Sequence, residues 1–210
     1  QLGMENRGST GRGISPAYCD ETGQWQIFYQ QFLDDRSIFK SLLQSRVQRA
    51  MDTIRYVCKI DESDWDNFFS ILTDAENRAN QEAKNEGIFK SEEFDFSIFK
   101  GETPYTINFD YLEEVYWNAG QQLVDCIGDT RNLLLKRKSE SRVVVAEFGQ
   151  AYWLDKRHGF TPNVTASHTT TSELFASAGI PIQPITTIGC CKAYDTKVGT
   201  HHFLTKLDHI

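Results

Sequence analysis

Arg142-Val143-Val144-Val145-Ala146-Glu147-Phe148-Gly149-Gln150-Ala151 is the stretch whose reading decides the fold. Residues 142–147 form a β-branched run without polar alternation, the pattern of a strand buried on both faces of a parallel sheet. A turn-rich segment dense in Thr, Ser and Gly follows from Gly149 to Thr171. After it, the spacing predicts a short helix near Ser172 to Ala178 and a second buried strand from Pro184 to Ala193. Strand, loop, helix and strand in that order describe a βαβ unit. The expected fold class is therefore α/β, a partial and mostly parallel sheet with a helical layer supplied by the N-terminal half. In such sheets ligands settle at the loop leaving a strand's carboxyl end, here Glu147 to Ala151.

Upstream, three stretches carry helical periodicity. The first is capped at Asp34 or Asp35 and places Ile38, Leu42, Val47, Met51, Ile54 and Val57 on a stripe. The second begins near Ser63, carries Trp65, Phe68, Phe69, Leu72, Ala75, Ala79 and Ala83, and closes at Gly87. The third runs from about Asn108 toward Ile127 with Leu112, Val115, Tyr116, Ala119 and Leu123 on one side. The acidic group Glu92, Glu93 and Asp95 lies in a connection and reads as a solvated surface. One domain over 1–210 is expected: a phosphate loop at 1–24, a helical region at 25–140 and an α/β core segment at 141–210.

Composition sets limits on function. The 210 residues carry 22 Lys+Arg against 29 Asp+Glu, a net charge of −7, with 40% hydrophobic residues. That balance suits a globular protein, offers no basic footprint for nucleic acid, and the short apolar runs leave no membrane span. Five cysteines at 19, 58, 126, 190 and 191 form no CxxC pair and read as reduced thiols, which with no visible signal peptide points to the cytoplasm. No GxxxxGK[ST], HExxH or GxSxG pattern occurs, so no Walker loop, zinc protease site or serine hydrolase elbow is expected.

Three segments could carry chemistry. Gly8-Ser9-Thr10-Gly11-Arg12-Gly13 places glycines beside hydroxyls, so backbone N–H groups can turn toward an anion with Thr10 as a further donor; composition alone also allows a plain flexible loop. Gln150 offers an amide donor and a carbonyl acceptor, the pair needed to read a heterocycle edge, although taken alone it reads more readily as a loop glutamine bonded to backbone. Pro162 to Thr171 is rich in hydroxyls ahead of a helix, which fits an anion site or ordinary N-capping.

In order, these segments resemble the adenylosuccinate synthetase family. Glu147-Phe148-Gly149-Gln150-Ala151-Tyr152-Trp153-Leu154-Asp155 is similar to EGAQGxxLD. It runs directly into His158-Gly159-Phe160-Thr161-Pro162-Asn163-Val164-Thr165-Ala166-Ser167-His168-Thr169-Thr170, against HGTYPxVTSSNTT. Lys192 to Gly199 is similar to KAYxTRVG, and Gly8 to Tyr18 to GTTGRGIGPAY. The resemblance implies a P-loop-NTPase-like ligase core and purine nucleotide biosynthesis by GTP-dependent ligation of L-aspartate to the 6-position of IMP. It implies Gln150 as the catalytic residue at the purine 6-oxygen, and a purine nucleotide site of Thr10, Gly11, Gln150, Leu154, Thr165, Val198 and Gly199. GTP, Mg2+ and a homodimer are implied as well.

The departures are as informative. Cys19 to Gln24 holds no cation where the family carries a phosphate-binding arginine, His168 stands for an asparagine, Lys197 for an arginine, and His201-His202 interrupt GPFPTE. The family's GDEGKGK loop has no counterpart in these residues. The chain therefore reads as the central portion of such a ligase. A phage-type relative acting on a (d)GMP-type nucleotide, and a non-catalytic purine-nucleotide-binding or interaction module, are the alternatives.

Overall fold

The computed structural model describes residues 12–196 and Phe203. Seven α-helices occur among them: α1 (Ile14–Thr22), α2 (Arg36–Asp52), α3 (Glu62–Ala79), α4 (Gln81–Asn85), α5 (Phe109–Gln121), α6 (Thr130–Ser139) and α7 (Glu173–Ala178). The chain divides into two compact units, one made of 27–127 and the other of 1–26 together with 128–210.

The expected parallel sheet is overturned. Among the described residues there is no strand, only an isolated antiparallel bridge between Lys100 and Ile107. Residues 142–148 and 180–192 are irregular, and Val143 and Val145 are 90% and 87% exposed. β-branched residues favour extended backbone, but a strand exists only where a neighbour completes its hydrogen-bond ladder. No described segment pairs with either run, so their apolar side chains stay in solvent.

Unit 27–127 is helical for reasons its sequence states. Asp35 caps α2 by accepting from the Ser37 N–H at 2.8 Å, and Asp61 caps α3 by accepting from the Asp64 N–H at 2.8 Å. Asn108 caps α5 through the Tyr111 N–H at 3.3 Å. The inner stripes differ from the expected ones. In α2 it is Phe39 and Leu43 that are buried, one position beyond Ile38 and Leu42, which are exposed. Phe39 turns inward because its ring packs against Phe32 at 4.9 Å and Trp117 at 5.6 Å between centroids. In α5 the buried positions are Glu113 and Gly120. A Cβ at Gly120 would stand 2.2 Å from the Phe32 ring, so only glycine lets that ring lie on the helix.

Glu113 is 3% exposed and receives a two-pronged clasp from Arg36, Nε to Oε1 at 2.8 Å and Nη2 to Oε2 at 2.7 Å. That hydrogen-bonded guanidinium outweighs burial and holds the Glu113 carboxyl below the usual range. Arg36 also covers the Trp117 ring at 5.8 Å. A second aromatic group joins Trp65 to Phe69 at 5.2 Å, edge to face, and to Tyr105 at 5.9 Å. The Tyr105 hydroxyl donates to the Ile60 carbonyl at 2.6 Å.

Two helices of the other unit lie outside the three stretches with helical periodicity, although α6 falls within the expected helical region 25–140. α1 follows the glycine loop directly, with Pro16 in its first turn where a missing N–H costs nothing. α6 is capped by Asp129 and ends on Lys136, Arg137 and Lys138, charges that favour a helix carboxyl end. The expected helix near 172–178 is present as α7, closed by Gly179 at φ 62°. Arg131 of α6 donates from Nε to the Gly179 carbonyl at 2.6 Å, tying the two helices.

Candidate functional site

The segment from Gln150 to Thr170 folds around one carboxylate. Asp155 is fully buried, and its Oδ1 accepts from the backbone N–H groups of Arg157 and His158, both at 2.9 Å. Its Oδ2 accepts from the Thr169 N–H at 2.8 Å and lies 3.3 Å from His168 Nδ1. Burial alone would raise the Asp155 pKa. The N–H groups of His158, Thr169 and Arg157, with His168, outweigh it and hold the carboxyl well below the usual range. The carboxylate is thus a permanent acceptor to which both ends of the loop are fastened.

Main-chain bonds complete the loop. Leu154 C=O accepts from the Thr165 N–H at 2.8 Å, and the Lys156 N–H donates to the Ser167 carbonyl at 3.1 Å. Gly159 N–H returns to the Asp155 carbonyl at 2.9 Å, where a Cβ would meet the Trp153 carbonyl at 2.3 Å. The Phe160 N–H donates to the Trp153 carbonyl at 3.1 Å, and the two rings stack at 5.2 Å with 28° between planes. The loop is also tied to α1, since the Lys156 ammonium lies 5.6 Å over the Tyr18 ring.

Of the expected site residues, the structure brings Leu154 and Thr165 into direct hydrogen-bond contact on the half-buried part of the loop. Gln150 lies four positions before Leu154, exposed, at φ 70°. Its amide has no hydrogen-bond partner among the described residues. Thr10, Gly11, Val198 and Gly199 lie outside the described residues.

The organising residue, Asp155, was quoted in the motif but given no role. A single Asp in a polar loop resembles an ordinary turn residue, and only the convergence of three N–H groups on it reveals otherwise. Among the described residues no group of three or more His, Cys, Asp or Glu side chains is placed to hold a metal ion. No helix among them is long and apolar enough to cross a membrane, and all five cysteines are free thiols.

Residues 70–209, which contain the whole loop, match the family model of adenylosuccinate synthetase. The chain is 29% identical over 207 residues to an adenylosuccinate synthetase of Micrococcus luteus and 28% over 207 residues to that of Kocuria rhizophila. It is 30% identical over 208 residues to that of a Parafrankia species. These alignments cover 98–99% of the chain and 38% of each relative, so the chain spans less than two fifths of their length.

Proposed function

Because the chain belongs to the adenylosuccinate synthetase family, we propose that it forms the purine monophosphate pocket of a GTP-dependent ligase that joins L-aspartate to the 6-position of IMP. The observation that carries this reading is the Asp155-anchored loop, which lies inside the family match and carries Gln150, Leu154 and Thr165 together. Gln150 bonds the 6-oxygen side of the purine, Leu154 packs near the base, and Thr165 with Thr10 and Gly11 holds the 5′-phosphate. Val198 and Gly199 lie by the ribose.

In that reaction GTP phosphorylates the purine 6-oxygen, and the amine of aspartate then displaces phosphate. The contribution of these residues is binding and orientation, since phosphoryl transfer depends mainly on positioning and electrostatics. A donor amide at Gln150 stabilises the charge that develops on the 6-oxygen. Asp155 anchors the loop on which Leu154 is bonded to Thr165. The working form is a cytoplasmic homodimer.

The test is a thermal titration of the 210-residue chain with IMP, GMP and the nucleosides inosine and guanosine. A monophosphate that binds the folded state raises the midpoint, and saturation at 100 times Kd adds about 2.7 kcal/mol. A midpoint unmoved by IMP and by GMP-type nucleotides at millimolar concentration rejects the pocket.

A further inference from the structure

Hydroxyls and backbone N–H groups are neutral donors, whereas a purine monophosphate brings a charge of −1.5 to −2 near neutral pH. Such a ligand is bound best where a cation completes the set, because charge-assisted hydrogen bonds are about twice as strong as neutral ones. The stretch after Tyr18 supplies none: Cys19, Asp20, Glu21, Thr22, Gly23 and Gln24 carry two acids and no base.

The structure assigns that role to Lys156: we propose that its ammonium is the cation that receives the nucleotide's 5′-phosphate. This rests on the purine monophosphate reading above. Three observations single it out. Its backbone N–H is bonded to Ser167, two positions from Thr165, so it is fixed against the hydroxyl-rich side of the loop. Its ammonium lies 5.6 Å over the ring of Tyr18, on the helix that begins at Ile14 directly after the glycine loop. Lys156 thus links the hydroxyl-rich side of the loop to α1. Finally, it is exposed, and no carboxylate among the described residues pairs with it. A ring face steers an ammonium without neutralising it, so the charge stays available to an incoming anion.

The neighbouring Arg157 provides the contrast. It too is a cation on the same loop, but its side chain has no such contact with α1.

The experiment is a calorimetric titration of the chain with IMP and with inosine, for the wild type and for Lys156→Gln, Lys156→Arg and Arg157→Gln. Lys156→Gln is expected to weaken IMP about tenfold and leave inosine unchanged, with the loss growing as ionic strength falls. Lys156→Arg restores most of the affinity, and Arg157→Gln leaves it within about twofold. A circular dichroism melt confirms that the variants fold as the wild type does. Equal IMP affinity in wild type and Lys156→Gln, or equal losses in Lys156→Gln and Arg157→Gln, overturns the assignment while the pocket stands. Failure of the wild type to bind any purine monophosphate overturns the pocket, and the assignment with it.

Discussion

Asp155 Oδ2 accepts the backbone N–H of Thr169 at 2.8 Å, closing a loop of fourteen positions with a fully buried charge. An asparagine at 155 keeps the shape and one acceptor but loses the charge that attracts three N–H groups at once. Asp155→Asn is expected to weaken purine monophosphate binding by about tenfold or more while the helical content of unit 27–127 persists. Calorimetry beside far-UV circular dichroism checks both halves of that statement.

The same carboxylate sets a pH response. Its folded pKa lies below the ordinary value near 4, so the unfolded chain takes up a proton more readily than the folded one. Its stabilising contribution is complete above about pH 4 and is lost as pH falls below that value. Glu113, lowered by Arg36, acts in the same direction. Thermal midpoints measured from pH 7 to pH 3 should fall at the acid end, and Asp155→Asn and Glu113→Gln should each flatten part of the fall.

Gln150 sits at φ 70°, a conformation that disfavours a side chain but not glycine. Gln150→Gly should leave the melting midpoint level or raise it by the equivalent of up to about 1 kcal/mol, while purine affinity falls. A variant that loses stability together with affinity would instead mark Gln150 as a structural residue.

Gly159 has main-chain oxygens where a Cβ would go, at 2.3 Å from Trp153 and 2.6 Å from Asp155. Gly159→Ala must therefore push the loop open, and nucleotide binding is expected to vanish. Hydrogen exchange should show lost protection at Thr165 and Thr169, with unit 27–127 unchanged.

Within that unit, Arg36→Ala strands the Glu113 carboxylate without its clasp. The expected destabilisation is about 2 kcal/mol in urea unfolding, reduced from the fully buried case because Arg36 is half exposed. Replacing both residues, Arg36→Met with Glu113→Gln, should recover most of it.

How much of this was legible in the sequence depends on what each signal needs. Helix caps are local, so Asp35, Asn108 and the close of α7 could be read directly, and Asp61 was missed by two positions. Stripe register is not local: Phe39 rather than Ile38 faces inward because Phe32 and Trp117 meet it there. The β-branched run at 142–147 has strand propensity, but pairing is a property of two segments, and none pairs with it among the described residues. The turn-rich character of the segment from Gly149 to Thr171 was legible, and Gln150, Leu154 and Thr165 lie in it. The carboxylate that organises them was not, because burial of a polar residue leaves no mark on the sequence around it.

The contact between Lys156 and Tyr18 joins two parts of a unit that the chain leaves at Gln26 and re-enters at Gly128. During synthesis, α1 emerges from the ribosome and waits without its partner loop until all of unit 27–127 has been made. That intervening unit is continuous and rich in near-neighbour contacts, so it is expected to be folded already when the loop appears. The loop gathered around Asp155 then forms after unit 27–127 on the nascent chain, and a polypeptide halted between the two holds helices without it.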